Sequence, residues 1–168
     1  MIVRAAREDE REAIRALTLA AYAEFAAVME LAAWAGLDGA VRAALDTEGA
    51  GVERIVAERG GELVGSVMLY SPSVDAYGGA VKRASWPELR LLAVAPGARG
   101  AGVGQALVEE CARRARLSGA SELGLHTSES LRAAVRMYER MGFVRAPEFD
   151  FRPEGAELVM AYRLPLGD

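Results

Sequence analysis

Apolar residues recur every three to four positions in four stretches of the chain, and this spacing predicts four amphipathic helices. The helices are predicted at Glu8–Leu31, Ala32–Leu45, Val103–Leu117 and Leu131–Met141. We expect the second helix to be interrupted near Gly36 and Gly39, because glycine weakens a helix interior. The fourth is expected to end at Gly142, since glycine readily takes the left-handed conformation that closes a helix.

Shorter runs of alternating or continuous apolar residues predict seven strands between these helices. The strands are predicted at Ile2–Ala5, Glu53–Glu58, Glu62–Tyr70, Pro87–Val94, Ser121–His126, Phe143–Phe151 and Ala156–Leu164. Arg59-Gly60-Gly61 is a hairpin signal between the second and third strands. No linker, repeat or low-complexity tract divides the chain, so residues 1–168 are predicted to form one α/β domain.

The composition argues against several classes of function. One cysteine excludes an internal disulfide, and one cysteine with one histidine argues strongly against a zinc site. Cys111 lies on the apolar side of its predicted helix and is expected to be a buried small hydrophobe. No apolar run reaches membrane-spanning length and the first residues lack a signal-peptide pattern, so we expect no membrane partner and a cytoplasmic location.

The net charge of −4 is unevenly distributed along the chain. Residues 1–50 hold five basic and nine acidic residues, whereas residues 51–168 hold fifteen of each. Without a basic excess, nucleic acid is not an expected partner. The acidic first third would attract a cationic ligand or simply form a solvated helix face, and the sequence leaves both interpretations open.

The stretch with the strongest chemical signal is Arg99-Gly100-Ala101-Gly102-Val103-Gly104, which joins a predicted strand to a predicted helix. Glycines let a backbone approach a ligand closely, so that several N–H groups can point at its oxygens. A helix N-terminus adds a partial positive charge, and Arg99 adds a full one. The stretch is therefore predicted to bind a pyrophosphate group, although a tight turn with glycines for packing would have the same pattern.

Two better-known phosphate loops do not fit. A Walker A loop ends in Gly-Lys-Ser/Thr, but Gly102 is followed by Val103. The third glycine of a dinucleotide fingerprint would fall at Gln105 or Leu107. An Arg-x-x-Gly-x-Gly pattern after the strand end Leu92-Ala93-Val94-Ala95-Pro96 resembles instead the coenzyme A loop of the GNAT superfamily of acyl-CoA-dependent N-acyltransferases.

This resemblance covers the element order of nearly the whole chain, and it implies a fold and a co-substrate. The implied fold is a mixed, twisted, mostly antiparallel sheet that splays open between the fourth and fifth strands, with helices on both faces. Acetyl-CoA would lie in the splay without any metal. The residues implied to bind it are Leu92, Ala93, Val94, Arg99, Gly100, Ala101, Gly102, Val103, Gly104 and Ser130.

Two residues are implied to carry the proton transfers. Ala134 to Phe143 closely resembles the family's fourth-helix pattern, in which the tyrosine, here Tyr138, protonates the leaving thiolate. Glu88 resembles the position of the general base that takes a proton from the amine, directly or through water. The alternatives are a half-buried tyrosine that covers the sheet and a carboxylate that faces solvent or pairs with Arg90.

Other positions carry weaker signals. The family often has an asparagine at the position of Leu131, and we expect Ser128 or Ser130 to cap the helix and supply part of that contact. His126 ends a strand near the expected thioester, where a structural role is the simpler interpretation. The candidates for lining the acceptor pocket, which core packing explains as well, are Tyr22, Phe25, Trp34, Tyr77 and Trp86.

The sequence therefore predicts an N-acetyltransferase that acts on a small-molecule or peptide amine by direct attack. One rival is a GNAT-like sensor or interaction domain that binds acyl-CoA without turnover. The other is a nucleotide- or phosphate-binding protein of another α/β fold. Homodimerisation through the last strands, which is common in the family, is left open, and so is the identity of the amine.

Overall fold

The computed structural model describes residues 1–77, 79 and 81–167, so Gly78 and Ala80 of the turn-rich connection and the final Asp168 lie outside the described residues. The helices are α1 Arg11–Ala23, α2 Leu31–Leu45, α3 Val103–Leu117 and α4 Arg132–Arg140. The strands are β1 Ile2–Ala5, β2 Val52–Arg59, β3 Glu62–Tyr70, β4 Glu88–Val94, β5 Glu122–Ser128, β6 Val144–Arg145 and β7 Val159–Pro165.

The seven strands form one sheet in the order β1-β2-β3-β4-β5-β7-β6. Every neighbouring pair is antiparallel except β4 and β5, which run parallel and pair at a single position, Glu88 with Gly124, among the described residues. Beyond that position the two strands separate. The predicted mixed, mostly antiparallel sheet with a splay between the fourth and fifth strands is confirmed.

Each face of the sheet carries its own helices and its own core. Helices α3 and α4 cover one face, where Leu107, Cys111 and Leu123 are completely buried. Helices α1 and α2 cover the other face around Ile14 and Val41. Burial raises the pKa of the Cys111 thiol to about 12, which agrees with its predicted role as a small hydrophobe.

Strand β4 contains a bulge just before its open end. Ser66 of β3 pairs with Ala93 and Met68 pairs with Arg90, so β4 has one more residue than β3 over this stretch. Leu91 lies in this bulge with a φ of 53°, the only positive φ of a non-glycine residue in the described chain. Such a bulge turns the rest of the strand relative to its neighbour, so the bulge sets the direction of Leu92, Ala93 and Val94.

The helix boundaries differ from the sequence prediction in two places. The first helix ends at Ala23 and a 3-10 turn follows over Glu24–Ala27. The apolar residues beyond it, Val28 and Leu31, are 73% and 84% exposed, so no burial would stabilise a longer helix. The predicted interruption of the second helix is wrong. A helix tolerates an internal glycine at a cost of about 1 kcal/mol, and the buried Val41 and Leu45 hold α2 on the sheet.

The sixth strand is also shorter than predicted. It spans Val144–Arg145 and gives way to a 3-10 turn over Pro147–Phe149, because Pro147 has no N–H to continue the ladder. A single bridge between Phe151 and Val159 resumes the pairing. The turn places the backbone carbonyl of Phe149 against His126 of β5.

Candidate active site

The loop before α3 presents a row of free backbone donors. Among the described residues, no backbone oxygen accepts the N–H groups of residues 100–105, and the first helical bond of α3 joins Ala106 N–H to Gly102 O at 3.0 Å. Gly100 and Gly102 have φ values of 75° and 77°, which L-residues rarely adopt. A Cβ at either would meet nothing within 4 Å. Free donors, open space and a helix N-terminus together fit the diphosphate of coenzyme A.

The splay between β4 and β5 leaves one edge of β4 unpaired. Ala95 N–H donates to Val64 O of β3 at 2.9 Å. The N–H and C=O groups of successive residues in a strand point to opposite edges of that strand. Because Ala95 bonds to β3, Leu92 and Val94 direct their backbone groups toward the opening. On β5, the buried Thr127 hydroxyl has no hydrogen-bond partner among the described residues. The unpaired backbone of β4 fits an extended amide-containing chain that lies between the strands as an extra strand.

Tyr138 of α4 is part of the core that α3 and α4 form with one face of the sheet. Its side chain is 5% exposed and packs against the Phe143 ring at 5.5 Å. Burial raises the pKa of Tyr138 well above its ordinary value, and the neighbouring Tyr22 phenol of α1 adds to the shift. The phenol therefore keeps its proton at neutral pH, which a proton donor requires.

Arg99 points away from its own loop in this structure. Its guanidinium forms an ion pair with Glu24 and donates to Ala21 O, at the end of α1. This contact joins the loop to the C-terminal end of α1. The side chain is 44% exposed, so it can leave Glu24 without breaking a buried pair.

Glu88 lies at the point where β4 and β5 meet, and it is not a solvent-facing carboxylate. Its Oε1 lies 2.8 Å from His126 Nδ1, and His126 Nε2 donates to the carbonyl oxygen of Phe149 at 2.9 Å. The side chains of Glu88 and His126 are 13% and 6% exposed. The alternative pairing of Glu88 with Arg90 is absent from the described contacts, because Arg90 donates to Ala76 O and stacks on the Tyr77 ring.

Glu88 and His126 line a small cleft that is partly open to solvent. The connection between β3 and β4 makes its outer wall, and the turn after β6 closes one side. Its aromatic lining includes Tyr70, Tyr77, Trp86 and Phe149. The Tyr70 hydroxyl and Glu88 Oε2 are both buried without a hydrogen-bond partner among the described residues.

The loop adjoins the open end of β4, which holds Leu92 to Val94, and Glu88 lies at the paired end of the same strand. Tyr138 lies on α4, in the core against one face of the sheet. Ser130 is exposed, and α4 begins after Leu131 with no side-chain cap, so the predicted capping role of Ser128 or Ser130 is wrong. The main chain closes this turn instead, since Leu131 N–H donates to Ser128 O at 3.0 Å.

Sequence reasoning missed two residues and undervalued a third. Tyr70 and Thr127 carried no signal, because each is one position in an apolar strand. His126 was assigned a structural role although it is the only histidine in the chain. Its position two residues beyond the strand pairing Glu88–Gly124 could have suggested the contact, had the register been known.

The described residues hold neither a metal-binding cluster nor a membrane-spanning helix. Among residues 1–77, 79 and 81–167, no group of three or more His, Cys, Asp or Glu side chains is arranged to hold a metal ion. In the same part of the chain, no helix combines the length and apolarity needed to cross a membrane.

The sequence and the fold were compared with known proteins. Residues 12–143 match the model of the acetyltransferase (GNAT) family. No curated protein sequence gives a significant match.

Solved structures share the fold over nearly the whole chain at low sequence identity. A GNAT acetyltransferase from Staphylococcus aureus is 16% identical, with a TM-score of 0.68 and 99% of each chain covered. A ribosomal-protein-alanine N-acetyltransferase from Brucella melitensis is 22% identical, with a TM-score of 0.66 and 98% of this chain and 99% of that one covered. A second Brucella melitensis GNAT acetyltransferase, in complex with acetyl-CoA, is 22% identical, with a TM-score of 0.60 and coverage of 99% and 88%.

The family match spans most of the chain, residues 12–143 of 168. The chain belongs to the acetyltransferase (GNAT) family. Its enzyme class is that of the acyl-CoA-dependent N-acetyltransferases.

Proposed function

We propose that this protein transfers an acetyl group from acetyl-CoA to a primary amine by direct attack, with both substrates bound at the splay. The observation that carries the proposal is the row of six N–H groups at residues 100–105, which have no backbone partner among the described residues and adjoin the part of β4 that has no described pairing with β5. Acetyl-CoA supplies the acetyl group as an activated thioester. A neighbour of the same fold is named as a complex with acetyl-CoA.

Each element of the site has one task in this proposal. The loop donates N–H groups to the diphosphate, and the unpaired backbone of Leu92 and Val94 bonds the pantetheine arm. A backbone N–H of this open segment polarises the acetyl carbonyl, because a fixed donor stabilises negative charge as it develops. Glu88 takes the proton from the amine, and Tyr138 gives its proton to the departing thiolate.

The cleft above Glu88 is the proposed site of the acceptor amine. It lies on the face of the sheet away from α3 and α4, so amine and thioester would meet at the splay from opposite sides. Aromatic rings at Tyr77, Trp86 and Phe149 would pack against the body of the acceptor. Helices α1 and α2 cover the same face further along the sheet.

The acceptor is to be found by direct screening. Purified protein with acetyl-CoA should release free thiol when offered a panel of polyamines, amino acids, aminoglycoside-type amines and peptides with free N-termini. A peptide arm is included because one fold neighbour is named for a ribosomal-protein alanine. Binding of CoA without turnover of any amine would favour the sensor alternative. Competition by ATP or NAD but not by CoA would favour a nucleotide-binding protein.

A further inference from the structure

His126 is the single histidine of the chain, and both of its ring nitrogens face oxygen atoms. Nδ1 lies 2.8 Å from Glu88 Oε1, and Nε2 lies 2.9 Å from the carbonyl oxygen of Phe149. The three groups come from β4, β5 and the turn after β6, which are far apart in sequence. Their meeting is therefore a product of the tertiary fold.

The hydrogen count of this arrangement requires one additional proton. A carbonyl oxygen can only accept, so Nε2 must carry a hydrogen to bond Phe149. A neutral imidazole has only one N–H, and Nδ1 would then turn a lone pair toward an ionised Glu88. Both contacts are satisfied together when a second proton lies between Nδ1 and Oε1. The pair of Glu88 and His126 therefore holds a proton in the geometry of the structure.

We propose that His126 is a positioning residue that joins Glu88 in one proton-accepting unit for the acceptor amine. This inference rests on the proposed function, in which Glu88 is the base. In its basic form the unit consists of a carboxylate and a neutral ring. The amine nitrogen loses a proton and keeps the electron pair that attacks the acetyl carbon. The proton goes to the carboxylate, and the unit later returns it to solvent.

The geometry assigns different tasks to the two carboxylate oxygens. Oε1 is occupied by His126, so the ring fixes the orientation of the carboxyl group. Oε2 is buried and has no hydrogen-bond partner among the described residues, and Glu88 lines the cleft. Oε2 is thus the oxygen that meets the amine, directly or through one water.

The charged and titratable groups around the ring set the direction of its titration. Burial disfavours a charged ring, but the hydrogen bond to Glu88 and the Glu88 charge outweigh it, so the pKa of His126 lies above its ordinary value. Arg90 on β4 opposes this rise. Asp150 also acts on the ring, but Arg145 pairs with it at 2.6 Å. The Tyr77 ring lies 4.8 Å away, and its pKa is raised well above the ordinary value by burial and Glu88, so it stays neutral.

A proton held by the pair has a kinetic signature. The protonated unit cannot accept the amine proton, so kcat/KM should rise with pH as the unit loses its proton. The acid limb of the profile should then lie above 6.5, the ordinary value for histidine, rather than near the ~4.3 of a free glutamic acid. The limb belongs to the pair and to neither residue alone.

The first test reads the ring directly and needs no turnover. Because the chain has one histidine, nitrogen-15 NMR gives a single set of imidazole signals. We expect both ring nitrogens to carry hydrogen at pH 6.5, with a titration midpoint above 6.5. In Glu88→Gln the midpoint should fall, because the negative partner is gone. A midpoint at the ordinary value that Glu88→Gln leaves unchanged would overturn the pairing.

The second test separates a role in proton transfer from a role in folding. His126→Asn keeps a donor toward Oε1 but cannot titrate. Its acid limb should move to lower pH, while the KM for acetyl-CoA stays as in the unmodified protein. The double variant Glu88→Gln/His126→Asn should lose no more activity than Glu88→Gln alone, since the two residues act as a unit. An acid limb unmoved in His126→Asn would contradict the proposal.

Failure of this inference and failure of the proposed function would give different experimental results. If the ring titrates as expected and no amine is acetylated, the pairing stands and the acetyltransferase assignment with Glu88 as base fails. If amines are acetylated and neither the ring nor the acid limb responds to the variants, the function stands and the role of His126 is wrong. Should His126→Asn fail to fold, the NMR comparison with Glu88→Gln still decides the pairing.

Discussion

The two ends of β4 are built differently although they are only six residues apart. At its first residue, Glu88, the strand pairs with β5 and a buried side-chain contact reaches a third element of the fold. At Leu92 to Val94, the strand follows a bulge and has no partner on one edge among the described residues. The first end fixes side chains in place, whereas the second offers unpaired backbone to a ligand. Acceptor chemistry and co-substrate binding are divided between them in our proposal.

The largest expected effect comes from Tyr138, the proposed proton donor. Tyr138→Phe keeps the ring and removes the hydroxyl, so kcat should fall by roughly 10²–10⁴-fold while CoA affinity changes little. The raised pKa of Tyr138 keeps the phenol protonated through the assay range, so higher pH should not rescue the variant. Tyr22→Phe, which removes the neighbouring phenol, is the matched control. An unchanged single-turnover rate for Tyr138→Phe would remove this assignment.

The paired end should respond to substitution in a different, pH-dependent way. Glu88→Gln should lower kcat/KM by about 10²-fold or more just above the acid limb of the unmodified protein, where the pair has lost its proton but few amines are already neutral. The deficit should shrink as pH approaches the pKa of the amine. Glu122→Gln, on the neighbouring strand and bound to Arg163, should have little effect at any pH. A deficit in Glu88→Gln that does not vary with pH would mark the residue as structural.

The donor loop next to the open end can be tested with two glycines. Gly102→Val places a side chain in the space in front of the loop and forces an L-residue toward a φ of 77°, which costs ~1–2 kcal/mol of backbone strain. We therefore expect CoA affinity to fall by at least about 10-fold. Gly97→Val is the control, because Gly97 also has open space around its Cβ but no positive φ. Isothermal titration with CoA measures both. Equal losses in the two variants would contradict the loop assignment.

An effect of similar size is expected from the arginine at the start of the loop. Arg99→Ala should weaken CoA binding by about 1.5–3 kcal/mol if the side chain leaves Glu24 for a phosphate. Glu24→Gln releases Arg99 from its ion pair and should leave CoA binding unchanged or tighten it. If Arg99→Ala leaves CoA affinity unchanged, the arginine serves only to hold the loop against α1.

The smallest effect concerns the acidic first third of the chain. If it steers a cationic acceptor, kcat/KM for a polyamine should fall with added salt more than for an amine with a neutral body. Several of its carboxylates are paired with arginines, among them Asp38 with Arg42 and Glu48 with Arg11. We therefore expect only a small difference between the two amines. Identical salt dependence would leave these residues as solvated surface.

The sequence alone determined the features that depend on neighbours along the chain. The glycines before α3, the strand that precedes them and the tyrosine pattern of α4 are local, because a turn, a helix start and a helix face each need residues only a few positions apart. Helix and strand order followed from hydrophobic period for the same reason. The predicted ends of two elements were wrong. The end of α1 at Ala23 depends on which residues are buried in the folded protein, and β6 stops early because Pro147 cannot continue its hydrogen bonding to β7.

Only the tertiary structure decided which distant side chains meet. Glu88 and His126 are 38 residues apart, and the Phe149 carbonyl lies a further 23 residues along the chain. No periodicity connects them, because their contact depends on the single pairing of β4 with β5 and on the early end of β6. The orientation of Arg99 toward Glu24 is of the same kind. The sequence therefore predicted the loop and named Glu88, Tyr77 and Trp86 as separate candidates, whereas their meeting with His126 and Phe149 in one cleft followed only from the assembled sheet.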